Sequence, residues 1–172
     1  MRLLNFEFKA RLRDEKRARA VLKQLGARLV GTDHQADTYF QVPSGRLKVR
    51  EGRIENALIY YRRSNTPRAR RATVDMMLLP RRNSLRAILA AALGVRVVVD
   101  KRREIYFVRN VKIHLDRVRG LGKFVEVEAI SRSGDLKRIR AQARHFQKLF
   151  GIPSSEIVGK SYADLVFAKK RK

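Results

Sequence analysis

The sequence contains no cysteine, which excludes a disulfide framework, thiolate metal ligands and a cysteine nucleophile. A reducing, cytoplasmic setting is the expectation. No apolar run approaches the roughly 18–20 residues of a membrane-spanning helix. The opening residues, MRLLNFEFKAR, carry charge too early to form a signal-peptide core, so no membrane attachment is expected. The glycine-rich routes to phosphate are missing as well: neither GxxxxGK followed by Ser or Thr nor GxGxxG occurs. No unit repeats at a fixed period. Carboxylates are scarce, with 16 Asp and Glu against 41 Lys and Arg, for a formal net charge of +25. Such a field favours an anionic partner: nucleic acid, an acidic membrane or a highly phosphorylated small molecule. A basic surface with non-specific affinity for nucleic acid is the plainest form of that reading.

What is present points to one globular domain. The 172 residues, 44% of them hydrophobic, suffice for one sizeable core and not two. The domain is read over 1–168, with a basic tail at 169–172 expected to be a disordered, solubilising end. Apolar and polar residues alternate over 3–12, and strand-like stretches follow at 27–30, 36–42, 46–51, 57–63, 73–79, 95–108, 111–118 and 124–130. Helical spacing appears after Asp14, ending at Gly26, and after Asn83 or Ser84, with Leu85, Ile88, Leu89 and Leu93 on one side. It appears again after Asp135, and briefly around 162–167. SNTPRARR at 64–71 reads as a mobile basic loop. The fold class is α+β: a closed antiparallel β-barrel, or tunnel, of about eight strands with helices packed outside.

On strand after strand, ionisable residues sit two apart around an apolar one, which places them on one face. Glu7 and Lys9 flank Phe8, Lys48 and Arg50 flank Val49, and Glu126 and Glu128 flank Val127. Tyr61 and Arg63 share a face, as do Lys101 and Arg103, and as do Lys112, His114 and Asp116. Any one such strand is accounted for by a solvated face. The recurrence is different, because carboxylates fall on the first and last strands and cations between them. Closing a barrel would gather Glu7, Glu126, Glu128 and Asp116 opposite an arc of Lys and Arg. Carboxylates suit hard divalent cations such as Mg²⁺ or Mn²⁺, and a cationic arc suits a polyphosphate.

These blocks resemble the CYTH superfamily, the triphosphate tunnel metalloenzymes, and the class IV adenylate cyclase-like branch in particular. NFEFKAR at 5–11 is similar to the family's ExExK strand. DTYFQVPSGRLKVRE at 37–51, LIYYRR at 58–63, KRREIY at 101–106, KIHLDRVRGLGKFVEVEA at 112–129 and GKSYADLV at 159–166 follow in the family's order. The resemblance implies a metal-dependent enzyme that binds ATP, tripolyphosphate or a similar triphosphate. It would hydrolyse that triphosphate or cyclise ATP to cyclic AMP. The alternative is a non-catalytic binder of polyphosphate or nucleic acid on the same scaffold, and a homodimer is compatible with either.

Carried over by position, the resemblance implies Mg²⁺ or Mn²⁺ at Glu7, Glu126 and Glu128, with Asp116 as a further acidic member. It implies triphosphate contacts at Lys9, Lys48, Arg50, Arg63, Lys101, Arg103 and Lys112. His114, between Lys112 and Asp116 on the inner face, is placed with them to bond a phosphate or support Asp116, or else is a structural histidine bonded to a neighbour. Lys112 stands where the family often has Arg. Asn5 stands where ExExK has its first Glu, which weakens one metal subsite. Ser161 and Tyr162 are placed at one tunnel mouth. Tyr39 and Tyr61 either line the tunnel or serve as ordinary strand aromatics. No general base is assigned: hydrolysis needs a positioned water, cyclisation a deprotonated ribose 3′-hydroxyl.

Overall fold

The period-2 segments become strands whose polar members turn inward. The computed structural model describes residues 2–63, 68–131 and 134–170. Its strands are β1 (Arg2–Arg11), β2 (Arg28–Phe40), β3 (Arg46–Glu51), β4 (Ala57–Arg63), β5 (Arg70–Leu78), β6 (Val95–Val108), β7 (Val111–Val118) and β8 (Gly122–Ser131). They close into one barrel in the order β1-β5-β4-β3-β2-β6-β7-β8, each neighbouring pair antiparallel. This is the expected fold class. Helices α1 (Glu15–Gln24), α2 (Leu85–Leu93), α3 (Leu136–Leu149) and α4 (Tyr162–Lys170) lie outside the wall.

The main hydrophobic core lies outside the barrel, between its wall and α1 and α3. Phe8 and Ala10 of β1, Ile113 and Leu115 of β7, and Val125 and Val127 of β8 are buried there. They pack with Ala18, Leu22, Ile139, Ala143 and Phe146 from the two helices. Burying each large side chain is worth about 1.5–3 kcal/mol. This external core therefore holds the wall while the alternate residues are left to face inward. The helices are locally specified: Asp14 and Asp135 accept from the backbone N–H groups of Arg17 and Arg138, capping α1 and α3. Gly26 and Gly151, at φ 62° and 63°, take the left-handed turn that ends them.

Several elements differ from the sequence reading. β2 runs unbroken through 31–35, where a gap was expected; the strand absorbs Gly31 through a register shift between Leu29 and Gly31. β5 begins at Arg70, so the expected basic loop is shorter, and residues 64–67 lie outside the described ones. Lys169 and Lys170 belong to α4, with Lys169 Nζ donating to the Gly120 carbonyl at 2.7 Å. Of the expected disordered tail, only 171–172 fall outside the described residues. No residue of α2 is buried, and Ile88 and Leu93 are exposed on its apolar side. None of the described helices is long and apolar enough to cross a membrane.

Candidate active site

The barrel encloses a cavity of about 220 Å³, lined by inward residues of β1 to β5 and of β6 to β8. Antiparallel pairing of β1, β8 and β7 sets its two charged rungs. Glu7 lies opposite Glu128 and Glu128 opposite Lys112; Lys9 lies opposite Glu126 and Glu126 opposite His114. Ligand atoms of His114, Glu126 and Glu128 all lie within 4.8 Å of one another. Burial and then the Glu126 charge push the Glu128 carboxyl up to about 7. Burial opposes charge on Glu126 too, but the adjacent His114 ring, then Arg103 and Lys9, outweigh it and hold Glu126 well below the usual range. Burial, followed by the positive field of Arg103, lowers His114 to about 4, so its imidazole is neutral at neutral pH.

Asp116, expected in the metal cluster, is engaged elsewhere. Its oxygens accept from Arg103 Nε and Nη2 at 2.6 Å each, and from the Tyr162 hydroxyl at 2.8 Å. Arg103 reaches on to Glu126 at 2.7 Å. Asp116 is thus the anchor of Arg103 and stands in the wall, not on the cavity. Glu7 lines the cavity but pairs with Arg63 at 3.2 Å, and burial raises its carboxyl more than Arg63 lowers it. His114 occupies the place beside Glu126 and Glu128 that Asp116 was expected to take.

The cationic arc is built around two carboxylates that the sequence reading passed over. Asp37, 2% exposed, accepts from Lys48 Nζ at 2.8 Å, Arg50 Nε at 2.8 Å and Lys101 Nζ at 2.6 Å. Burial alone would raise Asp37, but Arg50, Lys101 and Lys48 together hold it well below the carboxylate range. Lys101 is fully tucked behind Asp37 and does not line the cavity. Glu55 sits in the β3–β4 turn and accepts from Arg50 Nη1 at 2.7 Å and from Lys112 Nζ. The turn is held by buried Asp33, which accepts from the backbone N–H of Arg53 at 2.7 Å and of Glu55 at 3.1 Å. Gly52 is required there, since a Cβ would lie 2.5 Å from Asp33 Oδ2.

Lys9, Lys48, Arg50, Arg63, Arg103, Lys112 and His114 therefore do share the cavity, together with Glu7, Glu126 and Glu128. Asn5, Tyr39 and Tyr61 line it as well, and so do Ser161, just before α4, and Tyr162, its first residue. Lys9 Nζ lies 4.1 Å from the Tyr162 ring centroid. The remaining wall is apolar: Ile54, Ile59, Val74, Met76, Leu78 and Ile130. Among the described residues, the cavity lining together with its ion-paired neighbours Lys101 and Asp116 holds seven cations and six carboxylates in near balance. They account for +1 of the +25 charge, so +24 lies elsewhere in the chain.

A closed barrel with a polar, ion-paired interior defines a tunnel protein. The CYTH domain model matches residues 3–162, and the chain belongs to the CYTH domain family. A candidate adenylate cyclase of Methanocaldococcus jannaschii is 24% identical over 174 residues, covering 95% of this chain and 98% of that protein. A Pyrococcus horikoshii structure superposes with a TM-score of 0.80 at 23% identity, over 94% of this chain and 98% of that one. A Hippeastrum structure, described as a candidate adenylyl cyclase with a dominant triphosphatase activity, gives 0.61 at 15% identity. It covers 98% of this chain and 96% of its own.

Proposed function

We propose that this protein is a metal-dependent enzyme that binds an organic triphosphate, ATP or a chemical relative, in the barrel. The carrying observation is the cavity's division into three: a carboxylate–histidine cluster, a cationic arc and an apolar wall. The cluster suits a divalent ion such as Mg²⁺ or Mn²⁺, which when bound supplies a Lewis acid toward phosphoryl oxygens. Lys9, Lys48, Arg50, Arg63 and Arg103 suit the phosphate chain, the Arg groups as forks and the Lys groups as point charges. Lys112, held by Glu55, stands beside them. The wall of Ile59, Val74, Met76 and Leu78 offers apolar surface that an inorganic tripolyphosphate would leave unused. The names of the Methanocaldococcus and Hippeastrum relatives agree with this class of substrate.

Two reactions fit such a site. In hydrolysis, a water oxygen bonds to the γ-phosphorus, the bridging β–γ bond breaks, and orthophosphate and a diphosphate form. In cyclisation, the ribose 3′-oxygen loses its proton and bonds to the α-phosphorus while pyrophosphate leaves. Incubating pure protein with ATP or tripolyphosphate, with Mg²⁺, Mn²⁺ or EDTA, and resolving products by phosphorus NMR tests the proposal. Metal-dependent turnover of ATP supports it, and orthophosphate or cyclic AMP identifies the reaction. Absence of turnover with either metal would overturn it.

Glu55 competes with substrate on this reading, since it holds Arg50 and Lys112 from within the cavity. Glu55→Gln is expected to tighten ATP binding about tenfold, equivalent to about 1.4 kcal/mol. Calorimetry checks this, and weaker binding would make Glu55 a substrate-organising group instead.

A second reading, polyanion binding at the surface, draws on the +24 outside the tunnel. On α3, Lys137, Arg140, Arg144 and Lys148 are exposed at helical spacing, with no acidic residue in the first turn. Such a face suits nucleic-acid phosphates. Replacing Lys137, Arg140 and Arg144 by Ala is expected to reduce the salt dependence of duplex binding by a log–log slope of about 2–3. An unchanged slope in fluorescence anisotropy titrations would remove α3 from that role.

A further inference from the structure

His114 is 1% exposed, and neither of its ring nitrogens has a hydrogen-bond partner among the described residues. A buried polar group left in this way costs about 1–3 kcal/mol, and nearly all such groups in folded proteins are satisfied. The neighbours are unusual for an unsatisfied group, because two carboxylates face it. Its Nδ1 lies 3.6 Å from Glu126 Oε2 and 3.8 Å from Glu128 Oε1. These separations are too long for hydrogen bonds. They lie at and just beyond the upper end of the spacing of donors that share an ion: two ligands about 2.1–2.2 Å from one cation, at right angles or at a tetrahedral angle, stand roughly 3.0–3.6 Å apart.

The backbone imposes this grouping. His114 and Glu126 are register partners on β7 and β8, and Glu128 is two residues along β8, on the same inward face. The outward neighbours Ile113, Leu115 and Val127 are locked in the core against the helices, which leaves the ring little freedom to turn away. A separate feature of the cavity points the same way. Asn5 Oδ1 is also buried without a partner among the described residues and lines the same space, two residues before Glu7 on β1. Two neutral donors are thus left open beside the carboxylates, while every described carboxylate that lines the cavity, except Glu128, has a cation within 3.2 Å.

We infer that His114 is a direct nitrogen ligand of the tunnel's divalent ion, with Glu126 and Glu128, and that this mixed set selects Mn²⁺ over Mg²⁺. The inference rests on the reading of the tunnel as a metal site. Imidazole nitrogen suits first-row transition ions, whereas Mg²⁺ prefers an all-oxygen shell that retains several waters. A carboxylate-only site would bind both ions through similar shells. One imidazole in the set shifts the preference toward Mn²⁺, which accepts nitrogen readily.

The test is binding of Mn²⁺ alone to the full chain, followed by electron paramagnetic resonance with pulsed detection of nitrogen coupled to the ion. The expected result is a bound Mn²⁺ ion with coupling from one directly bound ¹⁴N, displaced by Mg²⁺ only at tenfold or greater excess. In His114→Gln the nitrogen coupling disappears and the Mn²⁺ preference over Mg²⁺ falls about tenfold. Bound Mn²⁺ without ¹⁴N coupling in the unaltered protein would overturn the role of His114 while leaving a carboxylate metal site intact. No Mn²⁺ binding at all would overturn the metal reading as well. Because the decisive spectrum is taken on the unaltered chain, a variant that fails to fold does not blunt the test.

Discussion

A Glu126→Gln, Glu128→Gln double variant is expected to lose about 1000-fold or more in metal-dependent turnover of ATP while remaining folded. Both side chains belong to the three-residue cluster that could hold an ion, and each substitution removes one anionic oxygen donor of nearly unchanged size. Loss of a bound cation's charge stabilisation is worth several kcal/mol at the transition state, and about 4 kcal/mol is a factor of 1000. The amide oxygen introduced by Glu126→Gln could still accept from Arg103, which reaches Glu126 at 2.7 Å, so the wall should hold. Circular dichroism and thermal unfolding establish the fold, and phosphorus NMR measures turnover. A folded double variant with turnover within tenfold of the unaltered protein would place the metal elsewhere. Binding of triphosphate without metal should persist in this variant, since the cationic arc is untouched.

Asp37→Ala is expected to destabilise the protein by about 3–5 kcal/mol, the cost of removing one partner from a buried ion pair. For a domain of this size that corresponds to a fall of about 10 °C in Tm. The reason is crowding: Lys48, Arg50 and Lys101 all lie within 3.0 Å of one carboxylate, and without it these three buried cations would keep only the Glu55 carboxylate that Arg50 reaches. Tripolyphosphate supplies negative charge to the same arc, so it should raise the Tm of the variant more than that of the unaltered chain. A variant with unchanged Tm would show that solvent reaches these cations, which contradicts Lys101 being 1% exposed. Asp37→Asn, which keeps the shape and loses the charge, separates electrostatics from packing.

Much of the barrel was legible because period-2 alternation survives where one side of a strand packs and the other is charged. β3, β4, β6 and β7 carry the bounds that alternation marks, and the neighbourhood of β1 and β8 follows from closure. Asp37 was legible in principle. Asp33, Gln35, Asp37 and Tyr39 alternate inward on β2, but Gly31 breaks the pattern and a gap was expected at 31–35. The bulge that absorbs Gly31 is a tertiary accommodation with no local signature.

Glu55 could not have been found by periodicity, since it lies in a turn and is aimed inward by Asp33, 22 residues away in sequence. Asp116 pairs with Arg103, and His114 lies beside Glu126 and Glu128, for an equally non-local reason. Both face inward on β7, but Arg103 on β6 lies directly opposite Asp116 and claims it, leaving His114 opposite Glu126. The net charge alone could not locate itself: cations in the tunnel are matched by carboxylates, so nearly all of the excess lies outside the tunnel.

The most direct measurement is a crystal structure of the protein grown with Mn²⁺ and a non-hydrolysable ATP analogue. The account predicts an ion against Glu126 and Glu128, and a phosphate chain along Arg50, Arg63 and Arg103 with Glu55 displaced from Arg50. The organic group should rest on the Met76 and Leu78 wall. An analogue bound on the exposed face of α3, with the tunnel ion pairs unchanged, would contradict it.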